Sequence, residues 1–333
     1  MIYAPSNSKD PYYNLAFEEY LFQQAAPGET YFSLWQNDNT IVIGKNQNPY
    51  NEIEADFVKE KEITVVRRIT GGGAVYHDLG NVNFTFIAPV EDQSAFDFAK
   101  FTEPVIAALR SLGLPAENQG RNDIAIDGAK ISGNAQHVSG GKLLHHGTLL
   151  FDSNLEMLGK CLTALPEKLA AKGITSIRSR VTNIRKLLPP GGDLEVGAFI
   201  DRLREFVFSL NPGCTVWNPS EADLEAIKTL RNNKYATWAW NYGSSPVGDT
   251  VYSRRFEGCG TITLRLAIAA GRIAQCSISG DFFGSGQIAD IEELLTGVKN
   301  EPEAVAEALK DIKLAHYFYG LEKTDFIKLF EGV

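Results

Sequence analysis

Between Asp10 and Gln24 the apolar residues Tyr13, Phe17, Tyr20 and Leu21 recur at helical spacing, behind a Pro11 suited to a first turn, and predict an amphipathic helix. The runs TYFSLW and TIVIG, parted by the polar QNDN, predict two strands around a turn. ITVVRR and NVNFTFIAP predict two more, which puts the glycine-rich stretch between them in a strand-to-strand loop. Helical periodicity returns from Phe98 to Leu112. GRNDIAIDGAKISG then predicts a hairpin with Asp127-Gly128 as its two-residue turn, carrying Lys130 on the return strand beside Arg121 and Asp123. HHGTLLF predicts a strand and Val196 to Leu210 a helix, so the order is α+β.

A break comes at WAWNYGSSPVGD, where Gly243, Ser244, Ser245, Pro246 and Gly248 cluster as in a linker. It divides the chain into a domain over residues 1–245 and a second over 249–333. In the second, alternation in TITLRLAIAA and a turn at Gly271 into RIAQCSIS predict a hairpin. Helices are expected around Ile288 to Leu295, Pro302 to Leu309 and Asp325 to Phe330.

The net charge of -9 argues against general binding to nucleic acid or an anionic membrane, so any basic site is local. No run approaches the roughly 18 apolar residues of a membrane span. Cys161, Cys214, Cys259 and Cys276 have no metal or redox spacing, which fits reduced thiols and a cytoplasmic location. His77, His145 and His146 share no spacing suited to a metal and read as hydrogen-bonding residues, so no metal site is expected.

RRITGGGAVYHDLGN raises a phosphate reading, yet it carries neither the P-loop nor the dinucleotide fingerprint. A loop between strands has no helix N-terminus to offer, so an anion there would rest on loop amides and on Arg67 and Arg68. The bland alternatives are a structural turn and a solvated strand end. Lys130 alone would be a solvated strand lysine; between Ala129 and Ile131 and before Ser132-Gly133 it is less ordinary.

RRITGGGAVYHDLGN, GRNDIAIDGAKISG, HHGTLL, AAKGITSIRSRVTN and WAWNYG, in that order, resemble the motifs of the lipoate-protein ligase A family. The resemblance implies a biotinyl/lipoyl-ligase-like catalytic domain with mixed β-sheets and flanking helices, followed by a small α+β accessory domain. It implies ATP, with Mg2+, as the activating substrate: lipoate, or octanoate, would attack the α-phosphate to give an acyl-adenylate. A lysine of an apo lipoyl domain, on the E2 subunits of 2-oxoacid dehydrogenases or the glycine cleavage H protein, would then take the acyl group. By similarity Arg68, Gly73, Ala74, Val75, Tyr76 and Lys130 contact ATP. Arg67, Gly71, Gly72, Lys130 and His146 would meet lipoate, with His77 in the site wall. Lys130 would neutralise carboxylate and α-phosphate as they converge. Asp123 would orient the acceptor amine, accept its proton, or serve only as a hairpin hydrogen-bonder.

Lys168, Lys172, Arg178, Arg180, Arg185 and Lys186 form a basic run, which is a solvated helix and loop or, by the resemblance, a mobile segment closing over the adenylate. Two alternatives remain. An octanoyl or lipoyl transferase of the same fold would need an activated, accessible cysteine, and none falls in the matched motifs. A non-catalytic lipoyl-domain-binding protein would not require Arg68, the three glycines and Lys130 together.

Overall fold

A computed structural model of the chain describes residues 1–90, 96–163, 181–243 and 250–330. The helix expected at the N-terminus runs Pro11–Gln24, with Pro11 in its first turn and the Asp10 side chain accepting from Tyr12 N. The first strands are β1 (Ile2–Tyr3), β2 (Tyr31–Trp35), β3 (Thr40–Ile43), β4 (Thr64–Arg67) and β5 (Val75–His77). After β6 (Asn81–Pro89) and the helix Phe98–Ser111 come β7 (Ala116–Gln119), β8 (Asp123–Ile126), β9 (Ala129–Ser139) and β10 (Lys142–Leu150). Helix Val196–Leu210 leads to β11 (Thr215–Val216). Three further strands, β12 (Thr250–Phe256), β13 (Gly260–Ala269) and β14 (Arg272–Gly280), follow the linker.

The strands form an eight-stranded sheet in the order β11-β1-β2-β6-β10-β9-β8-β7 and two three-stranded sheets, β4-β3-β5 and β12-β13-β14. Period-two alternation along β6 divides the two sides of the large sheet. Val82, Phe84 and Phe86 enter the core beneath helices Phe98–Ser111 and Val196–Leu210. The opposite face, with Asn83, Thr85 and Ile87, is turned toward the small sheet, whose Val42 and Val66 share a core with Ile87 and Leu144. Between these two sheets lies the cavity described below.

The β8–β9 hairpin closes as expected: Asp127 and Gly128 have φ of 49° and 78°, the paired positive values of a type I′ turn. No element is expected between Leu210 and the linker, but a capping box between Ser220 and Asp223 starts the helix Glu221–Leu230. Nor is β5 expected, too short for its period to be read, or β12, whose mostly exposed residues do not alternate by polarity.

The C-terminal domain has its own core, in which Ile262, Leu264 and Leu266 of β13 pack with Phe318 and Phe326. Two of its aromatic residues cross over: Tyr319 packs its ring 4.8 Å from that of Phe96, and Phe283 goes deeper. Phe283 is fully buried in the N-terminal core, its ring 5.5 Å from that of Phe98 and 6.1 Å from that of Phe96. Residues 244–249 and most of the basic run, 164–180, lie outside the described residues.

Candidate active site

Four residues in register cross the large sheet on the face turned to the small one: Gly133 on β9, Thr148 on β10, Asn83 on β6 and Trp35 on β2. Thr148 pairs with Asn83 and Asn83 with Trp35, while Thr148 Oγ1 accepts from Gly133 N at 3.2 Å. All four line one cavity. Three strand spacings separate the outer two, which makes this floor about 14 Å long. Val42, Val75 and His77 of the small sheet also line it, so the cavity lies between the sheets.

Lys130 sits at the Gly133 end. A β-carbon placed on Gly133 would lie 3.0 Å from Lys130 Nζ. The hairpin that carries the lysine also delivers Asp123, whose Oδ1 is 2.8 Å from Nζ. Where the chain is next described after residue 163, Val181 bridges to Lys130 and Thr182 N donates to its carbonyl at 3.0 Å. Arg185 is held by Asp152, Asp193 and Glu195, and Lys186 is exposed.

The glycine loop is braced from inside by Arg68. Its Nη2 donates to Gly71 O at 2.7 Å and Gly73 O at 2.8 Å, Nη1 to Val42 O, and Nε to Thr70 Oγ1. Thr70 Oγ1 lies 2.8 Å from His146 Nε2, and His146 Nδ1 donates to the Glu18 carboxylate at 2.9 Å. Thr85 donates to Glu18, and Trp35 Nε1 to Thr85. A continuous buried network thus fixes Arg68, and with it the loop, to the cavity floor. Gly72 has φ of +90°, a conformation that strains any other L-residue.

Burial lowers the pKa of Arg67 and of Arg68 to about 10, which leaves both charged at neutral pH. They are not equivalent. Arg68 lines the cavity, whereas Arg67 is turned away and donates to the carbonyls of Gly44, Lys45, Gln47, Trp240 and Asn241. Of the residues singled out in the sequence, Gly72, Gly73, Ala74, Val75, Lys130 and His146 also line the cavity. Arg67, Gly71 and Tyr76 do not. Gly71 packs on Phe282 and Phe283, and the Tyr76 hydroxyl donates to Asn39. Arg121 departs from the grouping expected with Asp123 and Lys130: it donates to Gly258 O and Cys259 O and lies 4.5 Å over the Phe283 ring.

Sequence reasoning missed Glu18, Trp35 and Asn83. An acidic residue inside an apolar helical stripe was the available signal for Glu18, because a buried carboxylate requires partners. Among the described residues no group of three or more His, Cys, Asp or Glu is disposed to hold a metal ion.

Comparison with known proteins places this arrangement. Residues 10–208 match the model of the lipoyl protein ligase A/B catalytic domain, and residues 245–330 that of the bacterial lipoate protein ligase C-terminus. The chain belongs to the lipoate-protein ligase family. It is 44% identical to lipoate-protein ligase LplJ of Bacillus subtilis, with 97% of each chain covered. To lipoate-protein ligase 1 of Staphylococcus aureus it is 40% identical, covering 97% of this chain and 98% of the relative. Among solved structures, P. falciparum LipL1 in complex with lipoate shares the fold at 24% identity, with a TM-score of 0.76 over 98% of this chain and 97% of that one. The bi-partite lipoate protein ligase of Thermoplasma acidophilum, studied with its E2 lipoyl domain, gives a TM-score of 0.65 at 28% identity, covering 75% of this chain and 98% of that one. A lipoate-protein ligase A bound with ATP gives 0.60 at 27% identity, covering 73% and 97%.

Proposed function

We propose that this enzyme activates lipoate with ATP and transfers the lipoyl group to a lysine of an apo lipoyl domain. The observation that carries the reading is the cavity floor, with an ammonium at the Gly133 end and an apolar, aromatic surface at the Trp35 end. A carboxylate bearing an octanoyl-length chain matches that polarity. Its oxygen would attack the ATP α-phosphorus, forming the mixed anhydride and releasing pyrophosphate. Lys130 would hold the two anions as they converge, a task suited to a point charge on a flexible stem. Asp123 places Nζ and would pass it to the substrate, while Arg68, Gly73, Ala74 and Val75 would border the nucleotide. Transfer follows when the acceptor amine attacks the acyl carbon and AMP leaves.

E2 subunits and the H protein are the proposed acceptors, octanoate is an alternative acid, and Mg2+ would come with the nucleotide phosphates. Residues 1–245 would form the catalytic domain and 249–333 the accessory domain. Four free thiols support a reducing compartment such as the cytoplasm.

The test supplies the protein with ATP, lipoate and an apo lipoyl domain, and omits ATP in parallel. Modification only with ATP is expected; equal modification without it, from an acyl donor, would overturn the reading.

A further inference from the structure

At the end of the cavity opposite Lys130, a chain of amides fixes the protonation of one imidazole. Asn14 Nδ2 donates to the carbonyls of Ser8 and Gln36, and Asn14 Oδ1 accepts from Ser6, so this amide has a single orientation. Asn37 Oδ1 lies 2.9 Å from the same Nδ2, one of whose two hydrogens is shared between two of these three acceptors, and this turns Asn37 Nδ2 toward His77 Nδ1 at 3.2 Å. His77 Nδ1 therefore accepts. Burial, with Arg68 as a secondary cause, lowers the His77 pKa to about 3, so the ring is neutral and its proton is on Nε2.

That N–H is buried and has no partner among the described residues. His77 is 3% exposed and lines the cavity, with its ring edge-on to Trp35 at 6.3 Å. Asn83, paired with Trp35 on the floor, likewise has an Nδ2 with no partner among the described residues, its Oδ1 being taken by Asn81. Two buried polar nitrogens without partners thus border the Trp35 end, which is otherwise built by Leu15, Val42 and Val75. Such groups are costly in a folded protein unless something in the working state serves them.

We propose that His77 Nε2–H, supported by Asn83, selects for sulfur in the distal part of the acyl chain by donating to a ring sulfur of the dithiolane. The inference rests on the function proposed above and deepens it: the site would be one for sulfur-bearing acids rather than for any chain of this length. A disulfide sulfur is a weak, polarisable acceptor that tolerates an apolar neighbourhood, which suits a lone donor beside an indole. A plain alkyl chain fills the same volume and leaves the donor unserved. Water that reached the donor in the free enzyme would be displaced by either acid, and only the sulfur acid would replace its hydrogen bond.

The experiment compares kcat/KM for adenylate formation with lipoate, octanoate and 5-cyclopentylpentanoate, the carbocycle in which methylenes replace both sulfurs. Wild type is expected to favour lipoate over the carbocycle by about tenfold, the worth of one buried donor left unserved. His77→Phe should bring that ratio near one, and His77→Gln, which keeps an N–H, should restore part of it. A wild-type ratio near one would overturn the proposal even if the variants failed to fold. So would a His77→Phe variant that retained the wild-type ratio while using both acids. Failure of all three acids with ATP would instead reject the ligase reading.

Discussion

Lys130 Nζ and Asp123 Oδ1 are 2.8 Å apart across the β8–β9 hairpin, with the lysine side chain 23% exposed and the aspartate 9%. The lysine is thus held at the cavity without being sealed in, and exchanging its partner for an anionic substrate needs only side-chain rotation. Lys130→Ala is expected to lower lipoyl-AMP formation by about a hundredfold to a thousandfold, the usual cost of removing a preorganised donor. Pyrophosphate release from a folded variant measures it, and a near-normal rate would remove Lys130 from the chemistry. Asp123→Asn should keep a measurable fraction of activity, because it weakens the placement of the charge but does not delete it.

Cys161 is buried, and burial raises its thiol pKa to about 12, so very little thiolate forms at neutral pH. Its Sγ donates to Leu158 O within its own helix. Cys161→Ala should therefore retain ATP-dependent lipoylation and cost about 1 kcal/mol of stability from the small void. Loss of acyl transfer in a variant of normal melting temperature would favour a thioester mechanism.

Gly71 and Gly73 form a contrasting pair. A β-carbon on Gly71 would lie 2.3 Å from Phe282 O, whereas one on Gly73 meets nothing within 4 Å. Gly71→Ala should displace the C-terminal domain or the loop and lower the melting temperature. Gly73→Ala should melt normally, so a raised KM for ATP in that variant would report the approach of nucleotide to the loop. Equal melting of the two variants would contradict the packing described here.

His77 and His145 are neutral in the fold. The His77 pKa is near 3, and burial keeps that of His145 well below its usual value. The unfolded chain binds protons at these sites below about pH 6.5 while the folded chain does not, so stability falls as the pH drops from there toward 3. Above that range neither ring contributes a slope. Urea midpoints at pH 7.5 and 5 should show the loss, and His145→Gln should flatten it. An unchanged slope would remove His145 from the account.

A fragment ending at Gly243 loses Phe283 and the contacts from Gly258 and Cys259 to Arg121. Gly71 and Gly72 lose their support as well. The fragment is expected to make little lipoyl-AMP from ATP and lipoate yet still transfer from preformed lipoyl-AMP. Lipoyl-domain modification followed with each donor separates the two steps; equal impairment would reject the division.

Where an element is set by local chemistry, it is legible in the sequence. Asp127-Gly128 fixes its hairpin by turn chemistry alone, and Pro11 with a 3.6-residue period marks the first helix. What escaped depends on distant partners. Two adjacent arginines look alike in sequence, but alternation at the end of β4 sends Arg67 to the carbonyls around Gly44 and Asn241 and Arg68 into the glycine loop. The floor row joins residues 35, 83, 133 and 148, whose adjacency follows from sheet order and not from spacing. His77 was legible as a wall residue, whereas its protonation required the amides of Asn14 and Asn37.

Phe283 has a consequence for inheritance. An aromatic ring supplied by one domain completes the interior of the other, so the domain border and the packing border do not coincide. Chimeras of related ligases joined between residues 243 and 250 should succeed only when the counterparts of Phe96, Phe98, Arg121 and Phe283 come from the same parent. The ring and its socket would then drift together, as one unit of descent spanning both halves of the chain.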